Sequence, residues 1–301
     1  MVSKSNTISV SGKTIKISNP EKMMFPNDAI TKRDIANYYC KIAETALPHF
    51  RDRALTMQRF PDGIGTEGFF QKRAADYFPD WIETVNLPSD DGDICQPTAN
   101  NAATLVYFAN LGMITPHLAL SRTDRPDIPD YAIFDLDPAG SDFKEVQQAA
   151  ELLFEHFKRY TIPTFVKTTG SRGLHVIIPL KRTMAFDALR KAIRRFANRL
   201  AEEYPNDLTT EQRKEKRGQR LYLDTGRNAY AQTAVGAYGL RAKSGAPVAT
   251  PLDWDEALST GMTATKYRIS NIFRRLGAKS DPWENFGDAA IPTTQLEKAL
   301  L

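Results

Sequence analysis

Tyr131-Ala-Ile-Phe-Asp-Leu-Asp-Pro138, followed by Ala139 and Gly140, is the stretch on which the fold turns. An apolar run that ends in two aspartates and is broken by Pro138 and Gly140 predicts a buried strand emerging at a sheet edge or cleft. Strand side chains alternate faces, so Asp135 and Asp137 share one side while Phe134 and Leu136 take the other. Two half-buried carboxylates set side by side repel, and leaving both without partners is costly. A hard divalent cation removes that cost: Mg²⁺ and Mn²⁺ take carboxylate oxygens, with substrate phosphates completing the shell. A turn and helix cap built from two aspartates explains the same residues without a ligand. The flanking sequence has to decide between them.

Downstream, Asp142 and Glu145 offer a capping pair for a helix to about Tyr160 that buries Phe143, Val146, Leu153 and Phe157. A strand over 164–167 then completes an α/β crossover. Thr168-Thr-Gly-Ser-Arg-Gly-Leu-His175 leads into a further strand, 176–180. Its two glycines bracket Ser171 and Arg172, so backbone N–H groups, a hydroxyl and a guanidinium can converge on a phosphate; a hairpin turn with an exposed Ser-Arg is the alternative. A helix over 185–203 has an apolar face (Phe186, Leu189, Ile193, Phe196, Leu200) and a basic one (Arg190, Arg194, Arg195, Arg199), the latter ordinarily solvated. Residues 202–218 read as loop or short helices. Leu221-Tyr-Leu-Asp224 is again a strand ending in an aspartate, with Arg227-Asn228 in the turn beyond. Gly236-Ala-Tyr-Gly-Leu-Arg241 and Lys243-Ser-Gly-Ala-Pro247 form a second glycine-rich cationic loop. Residues 253–277 are expected to be helical, and the tail from Pro282 to Phe286 to pack back through Trp283.

Upstream, alternation over 6–18 predicts a hairpin around Gly12. Thr31 caps a helix to about Leu47 with Ile35, Tyr38, Ile42 and Ala46 on one face. Lys22 and Lys32 flank the turn before it; two solvated lysines are the ordinary reading, while free N–H groups at the helix start would favour an anion. A strand over 54–60 ends at Pro61-Asp-Gly63. Phe69-Phe-Gln-Lys-Arg73 places adjacent aromatics beside cations, so both rings are not core together; partial burial against another loop is the ordinary reading, while a ring stacked on a base, with Lys72 near a phosphate, is the functional one. A strand pair turns around Asp90-Asp-Gly92, and 99–111 is a helix. Residues 113–120 are apolar apart from His117, and 121–126 form a polar loop.

Lys and Arg number 40 against 36 Asp and Glu, so net charge alone argues little for a polyanion partner and the distribution matters more. Cys40 and Cys95 stand apart, without the spacing of a zinc site, which fits a reducing cytoplasm. No apolar leader and no stretch approaching the ~20 apolar residues of a membrane span is present, so a cytoplasmic protein without membrane contact is expected.

Three strand-end acids, a Gly-Ser-Arg-Gly turn and a late arginine loop suit phosphoryl transfer from a nucleoside triphosphate, with two metals about 3.5–4 Å apart held by the acids. In this order the motifs resemble the archaeo-eukaryotic primase superfamily, and most closely the polymerase domain of bacterial ligase D and its stand-alone relatives in non-homologous end joining. Phe134-Asp-Leu-Asp-Pro138, Thr169-Gly-Ser-Arg-Gly-Leu-His175 and Leu223-Asp224 are similar to that family's three catalytic motifs, and the resemblance covers essentially the whole chain. It implies an α/β (α+β) primase-polymerase fold: a central mixed β-sheet carrying the acids, flanked by helices, plus a smaller N-terminal α/β part. A single catalytic domain over 1–301 is expected, with an N-terminal part to about 125, a core over 126–250 and a helical tail over 251–301.

The resemblance further implies that Asp135, Asp137 and Asp224 are catalytic and hold two Mn²⁺ or Mg²⁺ ions. Ser171, Arg172, His175, His117 and Arg241 would bind the nucleotide, Asn19, Lys22 and Lys32 a DNA 5′-phosphate, and Phe69, Phe70, Lys72 and Arg217 the template and primer. The implied function is templated nucleotidyl transfer that fills gaps and extends ends, with NTP or dNTP as substrate and ribonucleotides favoured. Gapped or broken double-stranded DNA, Ku and an ATP-dependent DNA ligase are the implied partners, in a nucleoid-associated setting. No ligase or nuclease motif occurs in the 301 residues, so joining is expected from a partner or a longer parent chain. The chain departs from relatives at Thr225, where an aromatic is common, and at Gly236-Ala-Tyr-Gly239, where Ala-Pro-Tyr-Ser is usual, so a less rigid loop before Arg241 is expected. A catalytically idle DNA-end-binding module would not need three acids. An aspartate-nucleophile phosphatase would leave Ser171 to His175 unexplained.

Overall fold

The computed structural model describes residues 6–89, 92–140 and 142–301. The predicted hairpin forms as strands β1 (Thr7–Val10) and β2 (Lys13–Lys16), and β3 (Met23–Phe25) and β4 (Ile30–Thr31) enclose the Pro26 turn before helix α1 (Lys32–Phe50). The helix start is a reciprocal cap: Thr31 Oγ1 accepts from the Asp34 N–H at 3.2 Å, and the Asp34 carboxylate accepts from the Thr31 N–H at 2.8 Å, a pattern contributing ~1 kcal/mol. The helix continues past the expected end at Leu47 through Pro48, because the fully buried Phe50 anchors its last turn.

Strands β5 (Leu55–Arg59), β6 (Phe69–Gln71), β7 (Thr84–Leu87) and β8 (Ile94–Pro97) precede α2 (Ala102–Asn110) and β9 (Met113–Ala119). The turn at Asp90-Asp91 lies outside the described residues. Helix α2 starts at Ala102 and not at Ala99, since the Asn101 side chain accepts from the Thr104 N–H at 2.9 Å and takes the capping position. The expected polar loop at 121–126 instead contains a short hairpin, β10 (Ser121–Arg122) and β11 (Arg125–Pro129). Its base is pinned where Arg53 and Arg122 both reach Asp130, at 2.7 and 2.8 Å. These long-range ion pairs have no local sequence signal.

The decisive stretch forms β12 (Tyr131–Asp137), followed by α3 (Phe143–Arg159), β13 (Phe165–Thr168), β14 (Leu174–Pro179), α4 (Phe186–Glu203), β15 (Leu208–Thr209) and β16 (Leu221–Asp224). Asp142 caps α3, accepting from the Lys144 N–H at 2.8 Å, while Glu145 stands exposed in the first turn. Strands β17 (Thr233–Val235) and β18 (Pro251–Leu252) and helices α5 (Trp254–Ala257), α6 (Ile272–Ala278) and α7 (Thr293–Leu300) complete the chain. The helical expectation over 253–277 therefore holds only at its two ends. Between them, Gly261 adopts φ +76° and the threonine-rich run makes turns. Arg275 then ties α6 back, to Glu256 at 2.6 Å and to the Pro251 carbonyl at 3.0 Å. Trp283 packs inward as expected, its indole N–H donating to the Val166 carbonyl at 3.2 Å.

The sheet carrying the acids runs β15-β16-β12-β14-β13-β18, parallel only between β15 and β16, and is therefore mixed. Strands β12 and β13 run parallel but are not neighbours, because β14 inserts antiparallel between them. A second sheet runs β17-β9-β5-β6. One face of β12 (Ala132, Phe134, Leu136) packs with α3 and α4 residues such as Leu153 and Phe196. Tyr131 and Ile133 on the other face join the core of α1, α2 and the second sheet. By alternation Asp135 and Asp137 extend this second face, toward β9 and β17.

Beyond its pairing with β16, β12 is completed by a side chain. Asn228, fully buried, accepts from the Ile133 N–H at 2.9 Å and donates to the Ile133 carbonyl at 2.7 Å. Asn228→Ala strands both backbone groups, so an unfolding free energy lower by about 2–4 kcal/mol is expected. Urea denaturation checks this, and a change below about 0.5 kcal/mol would show that the strand end is held by other means.

Candidate active site

Cross-strand register builds one rung of ionisable groups. Asp135 on β12 is paired with Asp224 on β16 and with His175 on β14, and His175 is paired in turn with Lys167 on β13. Neighbours in register share a sheet face, so all four side chains project the same way. Above them, His117 on β9 comes from the facing sheet. A cavity of about 190 Å³ gathers His117, Asp135, Asp137, Ser171, Arg172, His175, Asp224, Arg227 and Arg241.

The acids differ in their surroundings. Asp135 lies 3.4 Å from His175 Nε2 and 3.6 Å from Arg227 Nε. Burial opposes its charge, yet the attraction and hydrogen bond of His175, then Arg227 and Lys167, bring its pKa down to about 2. Burial and then Lys167 push His175 down to about 4. At neutral pH this pair is therefore a carboxylate and a neutral imidazole that can still donate through Nε2; Arg227 is the full cation beside Asp135, while burial, then Arg241, push Lys167 down to about 7, so that it is only partly charged there. Burial raises the pKa of Asp224; the Gly226 N–H, donating at 2.7 Å, opposes this and the nearby Asp135 charge reinforces it. Asp137 accepts from Arg172 at 2.7 Å and lies 3.5 Å from Arg217, whose guanidinium sits 3.8 Å over the Tyr222 ring.

These donors fit a hard cation. Three carboxylates are all oxygen, and the like charge facing Asp224 disfavours its ionised form unless a cation intervenes. Among the described residues no three His, Cys, Asp or Glu side chains already converge on one point. Asp137 instead turns to its arginines, so a cation would compete with Arg172 and Arg217 for it.

The Gly-Ser-Arg-Gly turn is a hairpin loop between β13 and β14 that nonetheless faces the cavity. Thr169 organises it, its Oγ1 accepting from the N–H groups of Ser171 and Gly173, each at 3.2 Å. A Cβ at Gly173 would lie 1.8 Å from the Leu136 carbonyl oxygen, so only glycine lets the turn approach the acid strand this closely. Arg241 donates to the Thr169 carbonyl at 3.1 Å, joining the two glycine-rich loops. The expected looseness before Arg241 is countered by buried anchors. Tyr238 adopts φ +63°, its carbonyl accepts from the Tyr38 hydroxyl at 2.6 Å, and its own hydroxyl donates to Asp281 at 2.8 Å.

Not every candidate lines the cavity. Phe69 and Phe70 are 47% and 60% exposed and, as strand neighbours, point to opposite faces: Phe70 lies 5.4 Å edge-on to His117, while Phe69 lies under Arg59. Lys72 is exposed. Asn19, with φ +48°, shapes a separate turn in which the Lys32 N–H donates to the Lys22 carbonyl at 2.9 Å. Lys22 there meets Asp62 at 2.5 Å, and Lys32, 6% exposed, donates to Ser18 at 3.3 Å. The free helix-start N–H groups expected beside them are already used by the Thr31–Asp34 cap and by the Lys22 and Pro20 carbonyls. Any anion there has to rely on the ammonium groups.

Lys167 is not legible in the sequence as a site residue, since only cross-strand register brings it to Asp135; Arg227 comes from the short 3-10 turn after β16, whose Asp224 is in register with Asp135. Among the described residues, the buried nitrogens His117 Nε2, His175 Nδ1 and Lys167 Nζ have no hydrogen-bond partner. Burial, then Arg241 and Arg227, push His117 down to about 3, so it is neutral.

With this geometry in view, comparisons identify similar proteins. The family model described as LigD, primase-polymerase domain, matches residues 31–283. The multifunctional non-homologous end joining protein LigD of Mycolicibacterium smegmatis is 29% identical over 281 residues, covering 92% of this chain and 36% of the relative. LigD of Pseudomonas aeruginosa is 28% identical over 90% of this chain and 33% of its own, and the bifunctional LigD of Bacillus subtilis 27% identical over 90% and 44%. The chain thus spans well under half the length of these relatives. The solved polymerase domain from Mycobacterium tuberculosis ligase D in complex with DNA superposes with a TM-score of 0.86 at 25% identity, covering 92% of this chain and 99% of that one.

Proposed function

The chain belongs to the LigD primase-polymerase domain family, a family of DNA-directed nucleotidyltransferases, and we propose that it fills gaps and extends broken ends by templated nucleotide addition during end joining. The observation that carries this reading is the rung Asp224–Asp135–His175, closed over by Ser171, Arg172 and Arg241 in one cavity. Asp135, Asp137 and Asp224 would hold two divalent ions, Mg²⁺ or Mn²⁺, which when bound lower the pKa of the attacking hydroxyl and neutralise the leaving pyrophosphate.

The chain's own residues do the rest. Arg241 and Arg172, with the Ser171 hydroxyl, hold the triphosphate; Arg172 exchanges its bond to Asp137 for one to phosphate as the nucleotide enters. Neutral His117 and His175 orient the nucleotide without adding charge. Phe70, exposed beside His117, offers a ring to a template base, and Phe69 and Lys72 contact the strand beyond. Arg217 seats the primer end next to Asp137. The primer 3′-oxygen then bonds to the α-phosphorus, the bond to the pyrophosphate oxygen breaks, and the hydroxyl proton passes to solvent. Asn19, Lys22 and Lys32 form a separate site for a downstream 5′-phosphate. Ribonucleotides are the favoured substrates, and Ku and an ATP-dependent DNA ligase, in the same chain or another, are the partners at a nucleoid-associated break. We treat residues 1–301 as one catalytic domain. Among the described residues no helix is long and apolar enough to cross a membrane.

Primer extension on a 5′-phosphorylated gapped duplex, with Mg²⁺ or Mn²⁺ and either sugar, tests the reading; no templated addition under any of these conditions would refute it. In the same assay Arg241→Ala is expected to raise the nucleotide KM by about ten- to a hundredfold, the equivalent of roughly 1.5–3 kcal/mol for a charge-assisted contact. Arg241→Lys should recover part of that loss. A wild-type KM in Arg241→Ala would remove Arg241 from the triphosphate.

A further inference from the structure

Residues 186–220 carry ten Lys and Arg against six Asp and Glu, an excess equal to the net +4 of the whole chain. The fold concentrates part of that excess in a groove of about 770 Å³ between the C-terminal half of α4 and the segment that follows edge strand β15. Arg194, Arg213, Lys216 and Arg220 line it, with Glu202 and Glu211 as its acids. Arg213 and Lys216 are exposed, and neither they nor Arg194 makes an ion pair among the described residues. Arg190 and Lys191 extend the same exposed basic side by one helical turn.

One buried side chain ties the groove wall to the reaction centre. Arg217 donates to the Glu211 and Gln212 carbonyls, at 2.9 and 2.7 Å, on the groove wall, and lies 3.5 Å from Asp137. A strand whose 3′ end is seated at Asp137 must leave the site along some path, and this groove is a cationic surface next to it, on the other side of Arg217. A groove in which cations outnumber acids four to two suits a run of phosphodiesters, one charge per strand about every 3.4 Å.

Resting on the proposed function above, we infer that the groove between α4 and residues 209–220 binds the phosphate backbone of the primer strand upstream of its 3′ end. Wild-type protein should then bind a gapped duplex more tightly when the upstream arm is lengthened from roughly five to fifteen base pairs, and with a steeper salt dependence. The variant R194Q/R213Q/K216Q should lose about tenfold in affinity on the long arm only, and its log–log salt slope should fall by about 2–3. Its preference for a 5′-phosphate should remain. A control removing three charges elsewhere, K41Q/K158Q/K279Q, should keep the arm-length gain. Fluorescence anisotropy over a salt series reads all of these. No gain with arm length in the wild type, an unchanged slope in the groove variant, or equal losses on both arms or in the control would overturn the inference. If gap filling persists in those cases, the polymerase reading stands; if wild-type protein neither binds gapped DNA nor adds a nucleotide, both fall together.

Discussion

Asp137→Asn is expected to abolish nucleotide addition, by about a thousandfold or more, while affinity for gapped DNA stays within a few-fold. The side chain is part-exposed at the end of β12 and its ion-pair partners among the described residues are Arg172 and Arg217, so its loss leaves the core untouched. It also removes a negative charge from beside the phosphates, so ground-state binding of nucleotide and primer should hold or improve slightly. The effect therefore falls on kcat and not on KM. Asp135→Asn should be as damaging but harder to interpret, since Asp135 also meets His175 and Arg227 in a buried rung. Turnover gives the first readout; binding of Mn²⁺ to the protein, followed by its relaxation effect on water, gives a second that does not need activity. Near-wild-type turnover in Asp137→Asn would sink the assignment of the acids.

Why the acids were legible and other parts of the site were not follows from the range of the signals. The alternation Phe134-Asp-Leu-Asp fixes, within one strand, that both carboxylates share a face, and a glycine pair marks a close approach such as the one Gly173 makes to Leu136. The mixed sheet of the resembled fold is present, as expected. Register between strands is a nonlocal property. Nothing near Lys167 in the sequence says that it stands two strands from Asp135, and the place of Arg227 just beyond Asp224 does not by itself say which carboxylate it reaches. The same limit explains the hairpin at 121–129, secured by Arg53 and Arg122 on Asp130, and the turns inside 253–277. There a short Glu256–Arg275 tie stands where a continuous helix was expected. The loop before Arg241 shows the reverse case. Its missing proline suggested slack, but buried tyrosines from α1 supply the rigidity from a distance of 200 positions in sequence.

A downstream 5′-phosphate is expected to tighten binding to a gap by on the order of ten- to several-hundred-fold, and changing both Lys22 and Lys32 to Ala should erase the difference. The two residues are adjacent, since the Lys32 N–H donates to the Lys22 carbonyl at 2.9 Å. Burial first, then the nearby charges of Lys22 and Arg59, lower the Lys32 pKa, so the corner is cationic and short of counter-charge. Asp62 supplies part of it, at 2.5 Å from Lys22. An incoming phosphate must displace that carboxylate, and a dianion competes better than the single charge of an internal diester. The helix-start N–H groups are already bonded, so the discrimination rests on the two ammonium groups and not on the helix dipole. Two further consequences separate this account from a general basic patch. Asp62→Asn should strengthen binding of 5′-hydroxyl and internal DNA relative to wild type, narrowing the preference from the other side. Lowering the pH through about 6 converts the terminal phosphate from dianion to monoanion while the lysines stay charged, so the preference should shrink as pH falls. Anisotropy on matched phosphorylated and hydroxyl gaps measures all of this. Equal wild-type affinities for the two gaps would remove the end-recognition role of Lys22 and Lys32 while leaving the chemistry at Asp135, Asp137 and Asp224 standing.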